Sequence, residues 1–193
     1  RQAGLGEPEL SKIRWLKGKL TARVVYVHAG RELGGTEEEL QGVALRKALA
    51  ELAARGSWRG ETLERMRAEQ YYRNLEAALK GEDFEELDPA RLMRRKLDQL
   101  GVQQCEELEL LEDDDFLEND LDDDTLESLQ KDYPRLYRFG GLTFEMEYLP
   151  RKRRVVMHSL SQTKGAKLKP QHLPRWNGWK VELDERGRRT VLR

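Results

Sequence analysis

Between Leu142 and Tyr148 every second residue is apolar: Leu142, Phe144, Met146 and Tyr148 alternate with Thr143, Glu145 and Glu147. A repeat of two places the apolar side chains on one face of a pleated chain and predicts a half-buried β-strand. The next residues, LPRKR, carry Pro150 where no ladder donor is needed and turn the chain into a second strand, RVVMHSL. A basic loop, SQTKGAKLKPQHLPRW, then leads through Asn177-Gly178 to WKVEL and RTVLR, two strands joined by DERG. Residues 133–193 are expected to form a small antiparallel β unit of about four strands.

The first hundred residues carry a different period. RVVYVH at 23–28 is β-branched and aromatic and predicts one early strand, after a lead-in over 1–22 expected to be poorly ordered. Thr36 followed by Glu37, Glu38 and Glu39 has the form of a capping box, and Leu45, Leu49 and Leu52 recur at helical spacing, which predicts a helix ending near Gly56. A second helix is expected from Gly60 to Lys80, with Leu63, Met66, Tyr71, Leu75, Ala78 and Leu79 inward. Asp88-Pro89 starts a third, with Leu92, Met93, Leu97 and Leu100 inward and Gly101 as its stop. Residues 102–132 mix acids with Leu108, Leu111, Phe116, Leu117, Leu121, Leu126 and Leu129, which predicts an acidic helical connector of one or two amphipathic helices, the other reading being disorder before Asp122. The expected class is α+β, with a mainly helical region over 1–101, the connector over 102–132 and the β unit over 133–193.

Charge divides along these boundaries. Residues 102–132 hold 14 acids and one Lys, and residues 133–193 hold 15 Lys and Arg against 5 acids, although the whole chain is at −1. Opposite fields of this kind concern partners and association rather than fold. With 193 residues the chain can build one domain or two small ones. It starts at Arg1 rather than Met, so the expectation is a piece of a longer protein. It has no apolar run of membrane-spanning length, and its mean hydropathy is −0.83. A single cysteine, Cys105, cannot form an internal disulfide, and a reducing cytoplasmic setting is expected.

Catalytic and cofactor patterns find no foothold in the sequence. SQTKGAKLKP lacks the glycine and lysine spacing of a phosphate-binding loop, and no nucleophile elbow is present. His28, His158 and His172 lack a ligand partner at metal spacing. Asp120, Asp122 and Asp124 open like a calcium loop, but Thr125 stands where the turn needs Gly and Lys131 where a bidentate Glu belongs. No enzyme activity and no cofactor are expected of this chain.

The basic set carries more. Arg151, Lys152, Arg153 and Arg154 share one turn, and Lys164, Lys167, Lys169, Arg175 and Lys180 follow, interleaved with Trp176 and Trp179. Cations that neutralise phosphates release counterions, and aromatic rings offer bases a platform, so this mixture suits RNA or another single-stranded nucleic acid. The other readings are a solvated turn, or a turn docked on the acid segment of its own chain. Trp179, in phase with Val181 and Leu183, is expected in the core. Trp176 is expected to offer an exposed stacking surface, or else to cover the open end of the sheet.

DYPRLYRFGGLTFEMEYLPRKRRVVMHSL, followed by LPRWNGWKVEL, resembles the C-terminal accessory region of bacterial Hrp-type DEAH-box ATP-dependent RNA helicases, over about residues 132–183. The resemblance implies a non-catalytic accessory region that binds RNA or regulates its use. It also implies helicase motor domains in the same parent chain as partners, with ATP hydrolysis outside this region. The alternative is an interaction module that docks a basic protein on the acidic face Glu112 to Asp124. No membrane partner is expected.

Overall fold

The computed structural model describes residues 9–28, 31–160, 168–174, 176, 178–185 and 187–192. In chain order the elements are β1 (Glu9–Leu16), β2 (Lys19–His28), β3 (Arg31–Glu39), α1 (Gly42–Ala54), α2 (Gly60–Lys80), α3 (Pro89–Gln99), α4 (Asp123–Asp132), β4 (Leu136–Phe139), β5 (Leu142–Leu149), β6 (Arg154–Ser159), β7 (Lys180–Glu185) and β8 (Arg188–Val191). The class is α+β. The chain forms two compact units, Arg1–Arg67 with Leu87–Glu118, and Ala68–Glu86 with Asn119–Arg193. Among the described residues no helix is long and apolar enough to cross a membrane.

In the first unit β1, β2 and β3 form an antiparallel meander. Leu20, Ala22 and Val24 of β2 pack with Leu45, Ala48 and Leu49 of α1 and with Met93 and Leu97 of α3. The predicted start of α3 is confirmed: Asp88 accepts hydrogen bonds from the backbone N–H groups of Ala90 and Arg91, each at 3.0 Å, and Pro89 follows the cap. Three expectations for residues 1–101 need correction. The region has three strands rather than one. Residues 9–22 belong to β1 and β2 rather than to a poorly ordered lead-in, of which 1–8 lie outside the described residues. Thr36 to Glu39 extend β3 instead of opening a helix, and α1 begins after Gln41. Arg23 pairs with Glu37 and Thr21 with Glu39 across the ladder, while the Glu37 and Glu39 side chains meet Arg14 and Lys19. Cross-strand partners outweigh a local capping preference there.

In the second unit the strands lie in the order β4-β5-β6-β7-β8. One face buries Leu142, Phe144, Met146, Tyr148, Val155, Met157 and Val181 with Tyr72 and Leu75 of α2 and Leu129 of α4. Tyr71 of α2 donates to the Met146 carbonyl at 2.8 Å, and burial pushes its phenol far above the ordinary value, so it remains a donor. The sheet departs from the expected antiparallel four strands in two ways. Leu136–Phe139 adds a fifth strand, too short to show a period. β6 and β7 pair in parallel, Arg154 opposite Lys180 and Val155 opposite Val181. A parallel pair cannot be closed by a tight hairpin turn, and residues 160–179 separate β6 from β7 in the chain. The expected helical connector is also more irregular than predicted: residues 102–132 form two 3-10 turns, Cys105–Leu110 and Asp114–Phe116, before α4.

Candidate nucleic-acid interface

The basic turn is built by Pro150. Its ring starts a 3-10 turn, Pro150–Lys152, which Arg153 closes in the left-handed region at φ 46°, its N–H bonded to the Pro150 carbonyl at 2.9 Å. Lys180 N–H bonds to the Arg153 carbonyl at 2.9 Å and ties the start of β7 to the same turn. On the other side Arg151 Nη2 lies 2.9 Å from the Gly81 carbonyl oxygen, 3.0 Å from that of Glu82 and 2.9 Å from Asp83 Oδ1. The guanidinium therefore sits over the negative end of α2, where a cation is favoured.

The four turn residues thus have different roles. Arg151 is committed to the α2 end. Arg154 shares a sheet face with Lys180 and Glu182: its Nη1 is 3.6 Å from Glu182 Oε2, and Lys180 Nζ is 2.8 Å from Glu182 Oε1. Glu182 is only 6% exposed, and the Lys180 ammonium, assisted by Arg154, holds its carboxyl below the usual range. Lys152 and Arg153 are exposed and make no ion pair with a described residue, and the same holds for Lys169. Lys164, Lys167 and Arg175 lie outside the described residues.

Trp176 is not an exposed platform. It is 4% exposed, packed in one cluster with Leu173, Val155 and Val181, with its ring edge-on to Tyr148 at 6.0 Å. The expectation for Trp179 holds in part, since it packs against the core cluster without being fully buried. It lies before β7, bonds its N–H to the Trp176 carbonyl at 2.7 Å and is half-buried beside Tyr133. Trp176 is buried because it packs with Leu173 against Val155 and Val181, neighbours in the parallel pair.

The acid segment meets arginines of α2 and of the residue preceding it. Asp113 pairs with Arg59 and accepts from Thr62 Oγ1 at 2.8 Å, Asp114 lies 2.7 Å from Arg65, and Asp120 lies 3.0 Å from Arg73. Asp122 caps α4, accepting from Thr125 N at 2.9 Å and Thr125 Oγ1 at 2.7 Å, so the calcium-like Asp repeat opens a helix. The carboxylate that pairs with Arg151 is Asp83, outside 102–132. Nothing local in the sequence marks Gly81, Glu82 and Asp83 as acceptors for the turn. The common face of Lys180 and Glu182 was the one visible hint of the Glu182 pairing.

Several carboxylates are held below their ordinary range, each mainly by one donor. These are the Thr62 hydroxyl at Asp113, the Thr125 hydroxyl at Asp122, the Gly187 N–H at Asp184, the Gln103 N–H at Glu107, and Lys180 at Glu182. A carboxylate whose folded value is depressed stabilises the fold above its unfolded value, about pH 4, and loses that contribution as pH falls through the folded value. The thermal midpoint is therefore expected to be level at neutral pH and to drop progressively below about pH 4. A midpoint unchanged down to about pH 2 would show that these bonds do not favour the folded state.

In comparisons with protein-family models, curated proteins and solved structures, no match to this chain was found.

Proposed function

We propose that this chain is a non-catalytic accessory region of a cytoplasmic ATP-dependent RNA helicase, and that it engages single-stranded RNA through the turn between β5 and β6. The observation that carries the binding reading is the state of Lys152 and Arg153. Arg73, Lys80, Arg135, Arg151, Arg154, Lys180 and Arg189 of the same unit are all ion-paired. Lys152 and Arg153, like Lys131, Arg138, Lys169 and Arg188, make no ion pair with a described residue, and these two stand side by side on a turn tied down by Arg151 and Lys180. Uncompensated charge on a fixed backbone needs little ordering to meet a phosphate chain, and it releases counterions from that chain on contact. The helicase context rests on the resemblance over residues 132–183.

The test is the salt dependence of binding to a fluorescein-labelled single-stranded uridine oligonucleotide. Lys152→Ala with Arg153→Ala is expected to weaken binding and to flatten the log–log salt slope by about 1.4, at about 0.7 per phosphate contact. Arg154→Ala is expected to act on stability instead. An unchanged slope in the double variant would end the RNA reading of the turn. The parent assignment has its own check: the coding sequence upstream of Arg1 should encode a phosphate-binding loop and a DEAH motif, and their absence would discard it.

A further inference from the structure

We propose a second contact for single-stranded nucleic acid in the first unit, at the tip of the β1–β2 hairpin, with Trp15 as the ring on which a base stacks. From Leu10 to His28 the chain carries Lys12, Arg14, Lys17, Lys19 and Arg23 and no acid. The tip is sharply formed: Leu16 pairs with Lys19 around Lys17 and Gly18, whose φ values of 51° and 80° are those of a two-residue hairpin turn matched to strand twist. A tip this short leaves little freedom to the two residues beside it.

Trp15 is 44% exposed and Leu16 51%. Leu10 and Ile13 of the same strand pack against the core, whereas Trp15, opposite Leu20 in the ladder, is outside that cluster. Its ring makes no ring contact with another described aromatic residue. Arg14 and Lys19 are paired to Glu37 and Glu39. Side chains alternate along a strand, so those pairs lie on the face opposite Trp15. Lys17 is in the turn itself, and Lys12 is displaced by the irregularity in register between Ser11 and Arg14, with φ 52°. Neither makes an ion pair with a described residue. An exposed indole and two lysines without an ion pair to a described residue, all on one hairpin whose own strands carry no acid between Leu10 and His28, present what a polyanion with planar bases requires.

The hairpin and the β5–β6 turn belong to different units, so their tests are separable. The same labelled uridine oligonucleotide is titrated into the full chain and into Trp15→Leu, Trp15→Phe and Lys12→Ala/Lys17→Ala variants, with thermal midpoints recorded for each. Trp15→Leu keeps apolar cover and removes the indole, and it is expected to weaken binding about 5- to 150-fold with the salt slope unchanged. Trp15→Phe keeps a ring and should retain most of the affinity. The lysine double variant should flatten the slope by about 1.4. A folded Trp15→Leu protein that binds the oligonucleotide as the native chain does overturns the proposal. So does a Trp15 requirement seen only with phosphatidylserine vesicles, which would assign the tip to a membrane surface. Loss of binding on Trp15→Leu with an unchanged slope in Lys152→Ala/Arg153→Ala would keep the hairpin and discard the turn; the reverse pattern would do the opposite.

Discussion

Replacing Trp176 by alanine is expected to destabilise the second unit by about 3–5 kcal/mol, the cost of emptying a buried indole site, while the folded fraction keeps the proposed affinity for single-stranded RNA. The ring is 4% exposed and shares a cluster with Tyr148, Val155, Leu173 and Val181, so neither face is open to a base. Its removal leaves a void beside those neighbours that they can fill only in part. Trp179→Ala should cost less, because that ring is half-buried and outside the ladder. Urea unfolding followed by far-ultraviolet circular dichroism, with oligonucleotide titration under native conditions, separates the two properties. Native stability combined with weaker RNA binding in Trp176→Ala would return that residue to the role of a platform.

Phe116→Ala should be comparably severe, at about 3–5 kcal/mol, although Phe116 lies in the middle of the acid run LEDDDFLEND. It is 1% exposed, its ring is edge-on to Trp58 at 6.2 Å, and the Arg59 guanidinium lies 4.9 Å above it. Arg59 also pairs with Asp113, so the acids here hold a cation over a core ring. Asp114→Asn, two residues away, removes only a mostly exposed pair with Arg65 and should change stability little. Equal effects of the two substitutions would show that the acid run is a solvated extension, with Phe116 outside the core.

This division bears on the function of the charged segments. Internal pairing of Asp113, Asp114 and Asp120 with arginines reduces the negative charge that the run presents to a partner. On the basic side, Arg151 and Arg154 have internal partners, whereas Lys152 and Arg153 have no carboxylate partner among the described residues. In the sequence all four are equivalent members of one basic cluster. What separates them is the location of Gly81, Asp83 and Glu182, and no spacing rule along the chain reports it.

The sequence by itself determined the elements whose causes lie within a few residues. These include the cap and start of α3 at Asp88 and Pro89, the span of α2, the alternation of β5, the turn at Pro150 and the pairing of β7 with β8. Helical and strand periods, caps and turn residues act over at most about a turn of chain, so they can be read directly. Only the tertiary structure decided that residues 31–39 form a strand, that β6 and β7 run parallel, that Trp176 is buried and that Arg151 is committed to Gly81, Glu82 and Asp83. The acceptor at Asp83 lies 68 residues from Arg151. Whether a ring is buried or a charge neutralised depends on what the fold brings beside it, and desolvation and Coulomb attraction act through space with no regard to separation along the chain.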